Sequence, residues 1–166
     1  ILVTGAAGFI GFHLCKKLIE KKMNVIAIDN INNYYSQKLK RDRINLLLKN
    51  KNKKFINFKK LDIKDKNKLS NFLKNKKIDV IVHLAAQAGI RYSLKNPRDY
   101  LNINIIGLFN IMEIARNKKL KKLIYASSSS IYGNSSKTPF SEDFDTSSPL
   151  QFYGSTKKAG EVFLKT

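Results

Sequence analysis

Thr4-Gly5-Ala6-Ala7-Gly8-Phe9-Ile10-Gly11 follows a short apolar run, residues 1–3, and opens an amphipathic stretch. No other feature limits the fold so tightly. A strand must stop at this point, turn on glycine and enter a helix. One glycine allows the tight turn, another the approach of backbone to a ligand, and another close packing of helix on strand. The first N–H groups of such a helix lack partners within it and can receive phosphate oxygens. The spacing is GxxGxxG rather than GxGxxG, so the motif gains its meaning from its place between strand and helix.

Short apolar runs and longer helical patterns alternate along the rest of the chain. Residues 9–22 are expected to form a helix, with Ile10, Leu14, Leu18 and Ile19 on one face. Strands are expected at 25–29, 55–61, 78–85 and 120–127, and helices at 38–50, 67–73, 98–117 and 152–165. The fourth strand is apolar nearly throughout, as a strand covered on both faces should be. This alternation implies right-handed crossovers and an α/β fold with a doubly wound parallel sheet. The polar stretch 133–151, with two of the three prolines, is expected to be a loop. A length of 166 residues suits one domain, 1–166.

The net charge of +20 invites a nucleic-acid reading. The excess is lysine, 27 against five arginines, without aromatic interleaving. A nucleic-acid reader would use more arginine for bidentate contacts, so no nucleic-acid partner is expected. No run is long and apolar enough to span a membrane as a helix. The single cysteine, Cys15, allows no internal disulfide and is expected to be a core thiol. His13 and His83 lack a third ligand in any metal spacing, so no metal is expected. No secretory leader pattern opens the chain, which points to the cytoplasm. A start at Ile1 without Met suggests a fragment of a longer protein.

Asp29 closes the second strand, 18 to 24 residues after the glycines. A carboxylate there can accept the ribose hydroxyls of an adenosine and repels a 2′-phosphate, favouring NAD over NADP. Asp62 and Ile63 close the third strand, where they could meet an adenine. Tyr153 and Lys157 stand four apart on an expected helix and so share a face. An ammonium beside a phenol favours the phenolate, a base near neutral pH. The spacing alone carries little, since Tyr34 and Lys38 repeat it. What separates Tyr153 is the hydroxyl-rich strand end Ser127 to Ser130, with Ser128 standing 25 residues before it. The Tyr34-Tyr35 pair is expected to pack in a loop near the rim of the site.

TGAAGFIG, HLAAQAGIRYS, SSSSIYG and YGSTKKAGE, in that order, resemble the extended short-chain dehydrogenase/reductase family. Within it the likeness is to nucleotide-sugar 4-epimerases. DNINNYYSQKLKRDRINLL with QAGIRYS is more similar to UDP-glucuronate 4-epimerases than to UDP-glucose ones. The resemblance runs the whole length. It implies a Rossmann fold, and a C-terminal half, with the lobe that grips the nucleotide, outside this chain. It implies NAD held by Gly5, Gly8, Phe9, Ile10, Gly11, Asp29, Asn30, Asp62 and Ile63, then by Leu84, Ala85, Ala86, Gln87 and Asn104. Ser128, Tyr153 and Lys157 match the catalytic triad, with Tyr153 and Lys157 also at the cofactor. Gln87, Arg91, Ser128, Ser129, Ser130 and Tyr153 would meet a UDP-sugar. Gly154 departs from the alanine of many relatives; it is expected to loosen the helix slightly and leave the chemistry untouched.

The chemistry that the resemblance implies is 4-epimerisation, interconverting UDP-glucuronate and UDP-galacturonate by transient hydride transfer from sugar C4 to bound NAD with Tyr153 as base. Other UDP-hexose or UDP-N-acetylhexosamine 4-epimerases remain open, as does a sugar-nucleotide dehydratase or decarboxylase. Those last relatives carry an acid just after the catalytic hydroxyl, where this chain has Ser129 and Ser130. A non-catalytic basic binding module on the same fold is the reading outside enzymology. The full-length protein is expected to be a homodimer.

Overall fold

Five short strands lie side by side, all parallel, in the order β3-β2-β1-β4-β5. They are β1 (Leu2–Thr4), β2 (Val25–Asp29), β3 (Ile56–Lys60), β4 (Ile81–His83) and β5 (Leu123–Tyr125). The computed structural model describes residues 1–135 and 138–166. Leu2 pairs with Ile26 on one side and Ile81 on the other, so β1 is the central strand. The order reverses there: β2 and β3 run off one side, β4 and β5 off the other. Doubly wound sheets bind ligands at such a switch point, beyond the carboxyl ends of the strands.

Successive residues of a strand face opposite layers, and β1 shows this directly. Val3 packs with Val25, Ala27, Cys15, Ile19, Ile44 and Leu47. Those last four side chains belong to helices α1 (Phe9–Glu20) and α2 (Gln37–Lys49), which cover that face. Leu2 packs on the other face with Ile28, Ile81, Leu69, Leu73, Ile111 and Ile114. Helices α3 (Lys66–Leu73) and α6 (Leu108–Asn117) supply that layer. Ser36 caps α2 by accepting from the Leu39 N–H at 3.3 Å, and Asp65 caps α3 by accepting from Lys68 N–H at 3.0 Å. Gly8, at the start of α1, offers no side-chain cap.

The largest differences from the sequence expectation fall in four segments. The fourth strand is shorter than 78–85 because the Leu84 and Ala85 N–H groups turn to the side-chain hydroxyl of Thr4 on β1, at 3.1 and 3.0 Å, and so leave the backbone ladder. The fifth is shorter than 120–127 because Leu120 N–H still closes α6 on the Ala115 carbonyl at 2.9 Å. The helix expected at 98–117 begins at Pro97 as α5 (Pro97–Tyr100), widens into a π-helix over Leu101–Gly107 and only then becomes α6. An unexpected helix, α4 (Ile90–Lys95), precedes it; Gly89, at φ 101°, opens it, and Asn96 before Pro97 ends it. The loop 133–151 carries no helix or strand among its described residues; Ser136 and Lys137 lie outside them. The final helix, α7 (Phe152–Lys165), agrees with its expected span.

Candidate active site

A cleft of about 370 Å³ opens where the carboxyl ends of β1, β2 and β4 meet. The glycine turn forms its floor. Gly5 sits at φ +71°, and a Cβ there would lie 2.8 Å from Ala85 N. A Cβ on Gly11 would run into the Gly5 carbonyl. Only glycine lets α1 start this close to β1 and β4. The turn N–H of Gly8 bonds back to Gly5 O at 3.0 Å, and the exposed Phe9 and Ile10 stand at the mouth. With no side-chain cap, the first turn of α1 presents its N–H groups and its positive dipole end to the cleft.

Asp29 and Asn30 line the far end with Ile63, while Asp62 stands just outside the lining. Asp29 is nearly buried; its Oδ2 accepts from Ala7 N–H at 3.0 Å and its Oδ1 from Ile31 N–H at 2.8 Å. The carboxylate therefore ties β2 to the glycine turn, and each oxygen keeps a lone pair for a ligand hydroxyl. Asp62 accepts from the Asn30 amide at 3.1 Å and so positions Asn30. Two cations share this end. Lys40 is buried and donates to the Asn32 carbonyl at 3.0 Å and to the Asn32 side chain. Burial lowers its pKa, and the Asp29 charge opposes that shift. Arg43 donates to the Ala7 carbonyl at 3.2 Å and lies over the Phe9 ring at 5.9 Å.

Leu84, Ala85, Ala86, Gln87 and Ala88 form the near wall. Asn104, buried in the π-helix, fixes it: its Nδ2 donates to Gln87 O at 3.0 Å, and its Oδ1 accepts from Gln87 N–H at 2.8 Å. The same Nδ2 donates to Thr156 Oγ1 on α7 at 3.0 Å. Two tyrosines hold the next residue, Tyr34 and Tyr100 each donating to the Ala88 carbonyl at 2.8 Å. Gln87 Nε2 is buried at the cleft without a hydrogen-bond partner among the described residues.

The hydroxyl-rich strand end flanks this wall beyond Ala126. Ser128 Oγ accepts from Ser130 N–H at 3.2 Å and lies 3.2 Å from Ser130 Oγ, in a 3₁₀ turn over Ser129–Tyr132. Helix α7 packs on that turn. Gly154 makes the contact, for a Cβ on it would lie 2.5 Å from the Ser130 carbonyl oxygen. The absence of a side chain at Gly154 thus lets the start of α7 lie directly on the serine turn. The Tyr153 ring meets Tyr100 edge-on at 5.9 Å. Lys157 is buried, and burial brings its pKa down to about 8 against the opposing pull of Glu161. Arg91 is exposed on α4, outside the cleft lining.

Sequence reasoning missed Asn32, Lys40 and Ala88, and treated the Tyr34-Tyr35 pair as rim packing. Both tyrosines line the cleft. Nothing local marks Lys40 among 27 lysines. Among the described residues no three His, Cys, Asp or Glu side chains gather as a metal site, and no helix is long and apolar enough to cross a membrane.

A family model described as GDP-mannose 4,6 dehydratase matches residues 2–166. Protein CapI of Staphylococcus aureus is 46% identical over 166 residues, covering 100% of this chain and 48% of the relative. UDP-glucuronate 4-epimerase 1 of Arabidopsis thaliana is 41% identical over 167 residues, covering 100% of this chain and 38% of the relative. Among solved structures, UDP-glucuronic acid 4-epimerase of Bacillus cereus, in complex with UDP-glucuronic acid and NAD, superposes with a TM-score of 0.87 at 38% identity. It covers 99% of this chain and 50% of its own. UDP-glucose 4-epimerase of Thermus thermophilus, in complex with NAD, gives 0.82 at 27% identity, covering 99% and 49%. The chain thus spans about half the length of the relatives it matches.

Proposed function

The chain belongs to the NAD-dependent epimerase/dehydratase family of extended short-chain dehydrogenases/reductases, and on that premise we propose that the whole protein is a nucleotide-sugar 4-epimerase using NAD, acting on UDP-glucuronate and UDP-galacturonate. The observation that carries the reading is the seating of α7: Gly154 lets the helix that carries Tyr153 and Lys157 lie on the Ser128–Ser130 turn, next to the glycine-floored cleft. Residues 1–166 are its NAD-binding domain.

The cleft fits the cofactor. The glycine turn has no room for side chains, the first turn of α1 lacks a side-chain cap, and Asp29 keeps free lone pairs at the far end. Gly5, Gly8 and Gly11 would admit the pyrophosphate, Asp29 and Asn30 the adenosine ribose, and Ile63 the adenine; Leu84 to Gln87 would line the nicotinamide half. Bound NAD supplies a reversible hydride acceptor for sugar C4.

Tyr153 takes the proton of the sugar 4-hydroxyl and later returns it. Ser128 hydrogen-bonds the same oxygen, which keeps the hydroxyl aimed at the phenolate. Lys157, itself buried, holds the phenolate charge, and an ammonium withdrawn from solvent acts more strongly on a neighbouring charge. Ser129 and Ser130 offer neutral hydroxyls toward the C5 substituent. With no carboxylate in that turn, the C5 proton has no base there, which favours epimerisation over dehydration. The greater identity to the UDP-glucuronic acid epimerase than to the UDP-glucose one supports the uronate. A cytoplasmic homodimer belongs to the same reading.

The test is the full-length protein assayed against UDP-glucuronate, UDP-glucose and UDP-N-acetylglucosamine. UDP-glucuronate should turn over fastest. Tyr153→Phe should lower kcat by about 10²–10⁴, the range for a positioned general base, with NAD affinity little changed. Full turnover in Tyr153→Phe would remove the mechanism, and preference for a neutral sugar would remove the uronate.

A further inference from the structure

Lys157 has no carboxylate partner within salt-bridge distance among the described residues. Its ammonium instead lies 4.2 Å from the centroid of the Tyr125 ring, on β5. We propose that Tyr125 is a positioning residue of the reaction, its ring face serving as the seat that holds the Lys157 ammonium at the Tyr153 phenolate. This rests on the epimerase reading of Tyr153 and Lys157.

The seat has neighbours on two elements. His83, the register partner of Tyr125 on β4, lies beside it with ring centroids 6.1 Å apart and planes 11° from parallel. Thr4 Oγ1 accepts from both the Leu84 and Ala85 N–H groups, which uses its two lone pairs. Its own proton must then go to His83 Nδ1, 2.8 Å away. His83 is thereby fixed as the tautomer protonated at Nε2, and Nε2 has no partner among the described residues. Complete burial and the Lys157 charge push the His83 pKa down to about 3, so the imidazole stays neutral at any working pH. A neutral ring matters here: an imidazolium beside Tyr125 would repel the Lys157 ammonium. On the other side, a Cβ on Gly160 would lie 2.8 Å from Tyr125 Cζ, so only glycine lets α7 lie this close to the ring. The Tyr125 hydroxyl donates to the Lys157 carbonyl at 3.4 Å, a weak bond that leaves the ring as the main contact.

The charged and titratable groups facing the pair are Glu161 and Tyr153 from α7, Tyr125 from β5 and His83 from β4. Of these, Glu161 favours the ammonium and burial opposes it. The ring face adds to the favourable side, as a desolvated cation–π contact does. Removing the ring while keeping an apolar side chain should make Lys157 easier to deprotonate.

The experiment uses the full-length protein with ¹³C-labelled lysine, the Lys157 resonance being identified by its loss in Lys157→Arg. In Tyr125→Leu, Lys157 should titrate about one pH unit lower. The alkaline limb of kcat should move down by the same amount, a loss of about tenfold on that limb. Tyr125→Phe keeps the ring, drops only the hydroxyl, and should restore both. An unmoved titration in Tyr125→Leu would overturn the proposal. So would a Tyr125→Phe that behaves like Tyr125→Leu, since the hydroxyl would then do the holding. If the wild type epimerised no UDP-sugar, the epimerase reading would fall, while the lysine titration would still decide whether Tyr125 seats the ammonium.

Discussion

Gly154→Ala sets two effects against each other. Alanine in a helix interior is favoured over glycine by about 1 kcal/mol, and propensity alone would call the change stabilising. The structure points the other way. The added Cβ would lie 2.5 Å from the Ser130 carbonyl oxygen, 3.1 Å from the Ser130 carbonyl carbon and 3.2 Å from Pro149 Cβ. Ordinary contact begins at 3.4 Å, so α7 and the serine turn must part by about 0.9 Å. Overpacking against backbone costs about 1–3 kcal/mol. Net stability should fall by about 0–2 kcal/mol. Chemistry should suffer more, because the displaced turn carries Ser128, and a misplacement near 1 Å can cost about 10²-fold in rate. The assay is kcat of the full-length protein beside its urea midpoint and its NAD affinity. A large fall in kcat, with the midpoint lowered by no more than that stability loss and NAD affinity nearly unchanged, is the expected signature. Turnover within about threefold of wild type, at unchanged or higher stability, would show that the chemistry does not depend on the Gly154 contact.

Asn104→Ala leaves Gln87 N–H and C=O buried without partners and should cost about 2–4 kcal/mol in urea unfolding; a cost under about 1 kcal/mol would mean that water replaces the amide. Asp29→Asn should lower NAD affinity about tenfold and raise that for NADP, because Lys40 and Arg43 would then face a 2′-phosphate without the opposing carboxylate; an unchanged ratio in calorimetric titration would take Asp29 out of cofactor choice. Cys15, buried with its pKa raised to about 12, should resist thiol reagents in the native protein, and rapid labelling without unfolding would contradict its place in the core.

The glycine turn, the strand–helix alternation and the apolar β4 were legible because each is a local pattern. What escaped depends on partners far along the chain. β4 stops early because Thr4, some 80 residues before it, takes its next two N–H groups. Lys40 looks like any surface lysine until Asn32 and Asp29 surround it. Tyr34 and Lys38 repeat the spacing of Tyr153 and Lys157, yet the pairs behave differently. Lys38 points outward to Asp42 at 3.0 Å, whereas Lys157 is buried under Tyr125. Nor is Tyr34 idle: its hydroxyl holds Ala88, 54 residues away, so Tyr34→Phe is no neutral control for Tyr153→Phe. Spacing identifies a shared face, and only packing tells which face is buried.

The π-helix over Leu101–Gly107 has a consequence for how this chain can vary in length. A π turn closes on i+5 instead of i+4, so the stretch holds more residues than an α-helix of the same rise needs. Deleting one residue there would yield a regular helix of nearly the same rise and leave the helix after it close to its present orientation. Ile111 and Ile114 would keep their places under the sheet, while Asn104, inside the altered stretch, would lose its aim at Gln87. A one-residue deletion in this segment should therefore spare the core and be felt at the cleft wall that Asn104 holds, though the segment lies outside the glycine turn.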